Sequence, residues 1–109
     1  MPEPLYNPMS LGFVSVAASP TSVIANYPTY TDLTAKVVDF QADFGNAGNV
    51  SIGYVGMNIT TGIGVLKVLD SGESWQLSAA PANAPIPVKD LYIHGTNVGD
   101  RALAVALVG

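Results

Sequence analysis

The chain has 109 residues, of which 49% are hydrophobic and 11% are charged, and its net charge is −4 at pH 7. Its length fits one domain, but its charged fraction is well below the ~25% that is usual for globular proteins. We therefore expect a partner to cover part of the surface, the alternative being a monomer whose surface is rich in Ser, Thr and Asn. Because only four residues are Lys or Arg, there is no basic patch for nucleic-acid binding.

From the sequence we expect neither a membrane-spanning segment nor an export signal. Its longest apolar run, residues 102–108, is too short to cross a bilayer. The first residues carry Glu3 and prolines instead of a basic region followed by an apolar core, so we expect no secretory signal and no membrane partner. Since cysteine is absent, disulfides and thiolate chemistry are excluded.

Residues 1–10 are predicted to form an extended N-terminal arm, followed by a single domain over residues 11–109. The arm contains three prolines, which lack the backbone donor that helices and central strands need. Leu5, Tyr6 and Met9 are apolar enough to contact a neighbouring molecule. We predict these side chains as the contact residues of the arm.

The remaining chain alternates between apolar and polar residues in short segments separated by turn residues. This pattern predicts strands over residues 11–18, 50–55, 65–69, 74–79, 88–94 and 102–108, with loops at 46–49, 56–64, 70–73 and 95–100. A short edge strand near residues 23–25 is an alternative to a loop. The side chains expected to face the core include Trp75, Leu77, Ala79, Leu91, Ile93, Leu103, Val105 and Leu107.

Residues 33–44 fit two structures. Leu33, Val37, Phe40 and Phe44 have helical spacing, whereas Val38, Phe40, Ala42 and Phe44 alternate with polar residues as in a strand with one wet face. No capping box precedes the segment, so we predict a strand. Seven or eight short strands at roughly ten-residue spacing then indicate an all-β fold, an antiparallel β-sandwich or jelly roll.

The ionisable residues do not form a recognisable catalytic or metal-binding set. Asp39 and Asp43 are read as a solvated strand face, and Asp70 and Glu73 as turn residues with too few oxygens for a calcium site. His94 is the only histidine, so neither a serine triad nor a zinc site can be assembled; we expect one of its nitrogens in solvent. We therefore predict no enzyme activity, no cofactor and no metal.

Four aromatic residues, Phe44, Tyr54, Trp75 and Tyr92, are candidates for a sugar-stacking platform. However, Trp75 alternates with Leu77 on the predicted core face, so core packing is the preferred interpretation.

Three segments carry a resemblance to a known class: residues 46–53 (NAGNVSIG), residues 69–74 (LDSGES), and residues 91–95 (LYIHG) with Gly99 and Asp100. Over residues 36–109 the chain resembles the jelly-roll decoration (cement) proteins and related auxiliary virion proteins of tailed bacteriophages. Ser71 stands where that turn often carries proline.

The resemblance implies a non-enzymatic protein that binds the major capsid protein on the outside of the virion and stabilises the shell, as a homotrimer at local three-fold positions. A carbohydrate- or receptor-binding module of a head or tail fibre is the alternative function. An enzyme is the third class, and it lacks a paired acid and base.

Overall fold

The computed structural model describes residues 7–79 and 85–108 and is all-β. Within these residues the only helical element is a 3₁₀ turn at Val88–Asp90. The strands are β1 Asn7–Ser15, β2 Thr21–Ser22, β3 Thr34–Ala35, β4 Val37–Ala42, β5 Val50–Tyr54, β6 Val65–Leu69, β7 Ser74–Ser78, β8 Ile86–Pro87, β9 Leu91–Gly95 and β10 Arg101–Val108.

Eight of the strands form two four-stranded antiparallel sheets. Sheet A has the order β1-β10-β4-β7 and sheet B the order β2-β9-β5-β6, while β3 and β8 form a two-stranded ribbon. The pairs are nested along the chain, because β1 pairs with β10, β2 with β9, β4 with β7 and β5 with β6. The predicted all-β, antiparallel sandwich is confirmed.

The core lies between the inner faces of the two sheets. Phe40 is the largest of its fully buried side chains, and Leu11, Ile52, Leu69, Leu91 and Ile93 are also at most 1% exposed. On β4, β9 and β10 buried residues alternate with more exposed ones, as expected when one face of a sheet is buried. Trp75, Leu77 and Ala79 pack against this core from the edge of sheet A, so their predicted inward orientation is confirmed.

The ambiguous segment at residues 33–44 is a strand, as predicted, although it is interrupted at Lys36 and ends at Ala42. Val38, Phe40 and Ala42 are buried, but Phe44 is 80% exposed. The alternation cannot extend to Phe44, because the chain leaves β4 before reaching it. The core position predicted for Phe44 is therefore wrong.

The structure moves the boundaries of several other predicted elements. β1 begins at Asn7 and pairs with β10 from that residue onward, so residues 7–10 belong to the sandwich and not to the arm. The edge strand considered near residues 23–25 lies slightly earlier in the chain. It is β2, Thr21–Ser22, and residues 23–26 are in turns. The segment predicted as a strand from residue 88 begins with the 3₁₀ turn and becomes extended only at Leu91.

The predicted orientation of β10 is reversed in the structure. Ala102, Ala104 and Ala106 face the core and are at most 1% exposed, whereas Leu103, Val105 and Leu107 lie half-buried on the outer face of sheet A. Ala104 lies directly beside Phe40 of β4. Because the large Phe40 ring occupies the inner face there and interiors are closely packed, a small side chain is favoured next to it.

Candidate interaction surface at the loop end

Four turns meet at one end of the sandwich, which we call the loop end: residues 16–20, 43–49, 70–73 and 96–100. The Val16 N–H donates to the Asp100 carbonyl at 2.6 Å, and the Gly99 N–H donates to the Val16 carbonyl at 3.0 Å. The Gly72 N–H donates to the Ala42 carbonyl at 3.1 Å. Because the turns bond to one another and to strand ends, the loop end is a continuous surface.

The carboxylate of Asp100 holds the 43–49 turn in place. Its Oδ1 accepts the N–H of Ala47 and its Oδ2 accepts the N–H of Gly48, both at 2.9 Å. Asp100 is only 7% exposed, so these bonds replace its solvation. Hydrogen bonds to an ionised acceptor are stronger than neutral ones, which makes this contact a major restraint on the turn.

Asn46 extends the edge of the β4–β10 ladder with its side chain. Its Nδ2 donates to the Arg101 carbonyl and its Oδ1 accepts the Arg101 N–H, both at 2.9 Å. The side-chain amide thus occupies the place of a backbone peptide group opposite Arg101. This explains why an amide side chain is suited to the position.

The Arg101 side chain joins the loop end to β1. Its Nε lies 3.0 Å from Oδ2 of Asp43, and its guanidinium carbon lies 3.9 Å from the centre of the Phe13 ring. Both partners of the ion pair are partly exposed, so the pair contributes less than about 1 kcal/mol. The ion pair mainly orients the Arg101 and Asp43 side chains.

Two large apolar side chains project from this hydrogen-bonded platform. Phe44 is 80% exposed and Val98 is 74% exposed. The Phe44 ring lies over Gly72, where the backbone φ is +80° and an added Cβ would come within 2.7 Å of the ring carbons. A glycine is therefore required beneath Phe44 both by the turn and by the ring.

The loop end is acidic. It carries Asp43, Asp70, Glu73 and Asp100, and within the part of the chain that the structure describes Arg101 is the only cation beside it. Exposed apolar side chains on an end of the molecule that also carries carboxylates suit a protein contact that is neutral or basic.

Only one of the three predicted contact residues of the arm lies in the described part of the chain. Leu5 and Tyr6 lie outside the described residues, whereas Met9 lies in β1 and packs half-buried against the core of its own chain.

The four aromatic residues considered for a sugar-stacking platform lie at separate places in the fold. Trp75 stacks on Phe40 with ring centres 6.2 Å apart, Phe44 covers Gly72, Tyr54 ends β5, and Tyr92 lies on β9.

The ionisable residues considered for catalysis are also apart. Asp39 accepts a hydrogen bond from Gln76 at 3.0 Å, and Asp43 pairs with Arg101. His94 is half-buried, and its Nδ1 is buried without a hydrogen-bond partner among the described residues. Over residues 7–79 and 85–108, no group of three or more His, Asp or Glu side chains is arranged to hold a metal ion.

The sequence pattern predicted the loops at residues 46–49 and 95–100, but it did not predict the contact between them. Asp100 is 53 and 52 residues from the two groups it binds. The sequence does show that Asp100 lies in a turn directly before a strand, but this position does not indicate which backbone groups its carboxylate binds.

Two further findings concern the whole chain. In the described part of the chain, no helix has the length and apolar character needed to cross a membrane. Comparison of the chain with protein-family models, with curated proteins and with solved structures gave no match.

Proposed function

We propose that this chain is a non-enzymatic virion protein that binds the outside of a bacteriophage capsid and stabilises the shell as a decoration (cement) protein. Its partner is the major capsid protein, and it acts in many copies, as trimers. The resemblance of residues 36–109 to such proteins supports this function. The low charge of the chain supports it as well, because a surface with few charges suits permanent contact with other proteins.

The arrangement of the loop end is the observation that carries the proposal. The segments that hold the resemblance, residues 46–53, 69–74 and 99–100, cover all or part of three of the four turns that meet there. They present Phe44 on a platform that is fixed by hydrogen bonds before any partner arrives. An exposed aromatic side chain on a rigid surface is the usual anchor of a protein interface, because little conformational freedom is lost on binding.

The nested strand pairing supports the finer classification as a jelly roll. A jelly roll has eight strands in two four-stranded sheets, built as two Greek keys. The pairs β1 with β10, β2 with β9, β4 with β7 and β5 with β6 satisfy this arrangement when the short β3 and β8 ribbon is set aside.

The arm remains part of the proposal in a shortened form, because β1 already begins at Asn7. We propose that Leu5 and Tyr6 contact a neighbouring subunit, and that Met9 contributes by supporting β1 from the core side.

A binding assay with a matched pair of variants tests the role of the loop end. The purified chain is mixed with shells of the major capsid protein of the same phage, and co-sedimentation gives the affinity. Phe44→Asp should weaken binding roughly 10-fold or more, because interface anchors typically contribute about 2 kcal/mol or more. Val55→Asp is the control, since Val55 is 63% exposed and follows the opposite end of β5.

Equal binding by the Phe44→Asp and wild-type chains would refute the loop end as the shell contact. A variant that lacks residues 1–6 tests the arm in the same assay. It should bind more weakly while keeping the unfolding midpoint of the full chain, and unchanged binding would remove Leu5 and Tyr6 from the proposal.

One observation favours a carbohydrate-binding module as the second candidate. Tyr27 and Tyr30 stack with ring centres 5.1 Å apart and planes 6° apart, and both are about 40% exposed. Exposed aromatic faces pack against the apolar faces of sugars. Binding of host-surface glycans that is lost in Tyr30→Ala would favour this function, and the absence of any glycan binding would exclude it.

A further inference from the structure

The two sheets have four edge strands, and three of them carry features that prevent pairing with another chain. β2 is only two residues long, and β6 carries the exposed Lys67 and pairs with β5 across a bulge. β1 contains Pro8 and a bulge between Ser10 and Gly12. Short edges, charges, prolines and bulges are the usual protection of edge strands.

The β1 edge is also occupied by a side chain. Nδ2 of Asn26 donates to the carbonyls of Leu11 and Phe13, both at 2.9 Å. The Gly12 backbone between them has φ +79°. These bonds use carbonyl groups that another strand would otherwise need.

The fourth edge, β7, has none of these features. Its sequence, Ser74-Trp75-Gln76-Leu77-Ser78, contains neither a charge nor a proline, and its ladder with β4 is regular. On its other side, no described residue pairs with it. An unprotected edge of five residues is unusual in a soluble protein, and it indicates that the edge has a partner.

The backbone groups available on this edge belong to alternate residues. The Ala79 N–H donates to the Lys36 carbonyl, and the Glu73 carbonyl accepts the Ala42 N–H, both at 2.8 Å. Residues 73, 75, 77 and 79 therefore turn their peptide groups toward β4. In an antiparallel ladder the intervening residues face the opposite way, so the N–H and C=O groups of Ser74, Gln76 and Ser78 point outward from the sheet.

We propose that β7 pairs with β7 of a second copy of this chain, in antiparallel orientation about a two-fold axis at Gln76. This register places Gln76 opposite the partner's Gln76, and Ser74 opposite the partner's Ser78. All three outward-facing residues then lie in hydrogen-bonded pairs, and sheet A continues into a sheet of twice its size. No other register centred within β7 uses all three.

The side chains of β7 are compatible with this register. On the inner face, Trp75 comes opposite the partner's Leu77, and both are half-buried in the single chain, so pairing covers their remaining apolar surface. On the outer face the facing residues are uncharged and polar, so no like charges meet. A second copy fits because the strand is complementary to itself, as a two-fold interface requires.

The proposal does not depend on the proposed function, because it concerns the chain alone. It is tested by charge variants at exposed positions. In Ser74→Lys/Ser78→Lys each lysine faces a lysine of the other copy, whereas in Ser74→Lys/Ser78→Glu each lysine faces a glutamate. Both pairs of substitutions lie on the outer face of the sheet, so they leave the core unchanged.

Sedimentation equilibrium of the purified chain should give an even multiple of the chain mass, either a dimer or a hexamer in which β7 joins two of the proposed trimers. The mass should halve in Ser74→Lys/Ser78→Lys and should stay at the wild-type value in Ser74→Lys/Ser78→Glu. The amides of Ser74, Gln76 and Ser78 should be protected from hydrogen exchange in the wild type and lose that protection in the double-lysine variant. A wild-type monomer or trimer, or a mass that the double-lysine variant does not change, would overturn the proposal. Urea unfolding of both variants confirms that they are folded.

Discussion

Among single residues, Asp100 connects two turns of the loop end that are far apart in the chain. Its two oxygens accept backbone N–H groups from a turn 53 and 52 residues away along the chain, and Asn46 in that turn bonds back to the next residue, Arg101. Ala47 and Gly48 themselves have no polar side chains with which to fix the turn. At these two residues the restraint comes from a polar group elsewhere in the fold, the Asp100 carboxylate.

We predict that Asp100→Ala lowers the free energy of unfolding by about 2–3 kcal/mol, because two N–H groups lose a charged acceptor. Asp70→Ala is the control, since Asp70 is an exposed carboxylate at the same end, and it should change stability by less than about 0.5 kcal/mol. Urea unfolding measures both values. If the two variants were equally stable, the Asp100 contact would not be what fixes the turn.

Phe44 shows where a burial prediction from residue spacing stops being valid. Its spacing from Phe40 and Ala42 predicted a core position, and this holds only while the strand continues. β4 ends at Ala42, so Phe44 lies in the turn and is exposed. The sequence contains Gly45 and Asn46 as a turn signal, but it does not show at which residue before them the ladder ends.

At the scale of elements, β10 shows that the sequence predicts the extended conformation of a strand more readily than which of its faces is buried. Its extended conformation was predicted from the apolar alternation, but the assignment of its faces was wrong. Leu and Val are more hydrophobic than Ala, so hydropathy placed them inside, whereas in the structure the alanines lie on the buried face, with Ala104 beside Phe40. The choice of face depends on the volume left by neighbouring strands, which lies beyond a single-strand pattern.

Adjacent substitutions in β10 test this interpretation. Ala104→Leu adds volume beside the buried Phe40 and should lower the free energy of unfolding by about 1–3 kcal/mol. Val105→Leu adds a methylene on the partly exposed outer face and should change it by less than about 0.5 kcal/mol. Thermal or urea unfolding of the two variants gives the comparison. A larger loss in Val105→Leu would mean that the outer face is the tightly packed one.

At the scale of the whole molecule, the sequence predicted the all-β class and most of the strands, but not which strands pair. Pairing joins residues far apart in the chain, as in β1 with β10 and β2 with β9, and short alternating segments carry little information about their partners. For the same reason the sequence did not predict the loop end, because its four turns come together only through the pairing of the strands. The low charge was visible from composition alone, and it agrees with a surface made for contacts with other proteins.

The copy number of this chain in purified virions, relative to the major capsid protein, tests the proposed function most directly. Quantitative mass spectrometry or gel densitometry of particles separated from free protein gives the ratio. A decoration protein that covers the lattice should be present at a ratio near one copy per shell subunit. A handful of copies per particle would place the chain on a fibre, portal or tail, and its absence from virions would contradict the proposed function altogether.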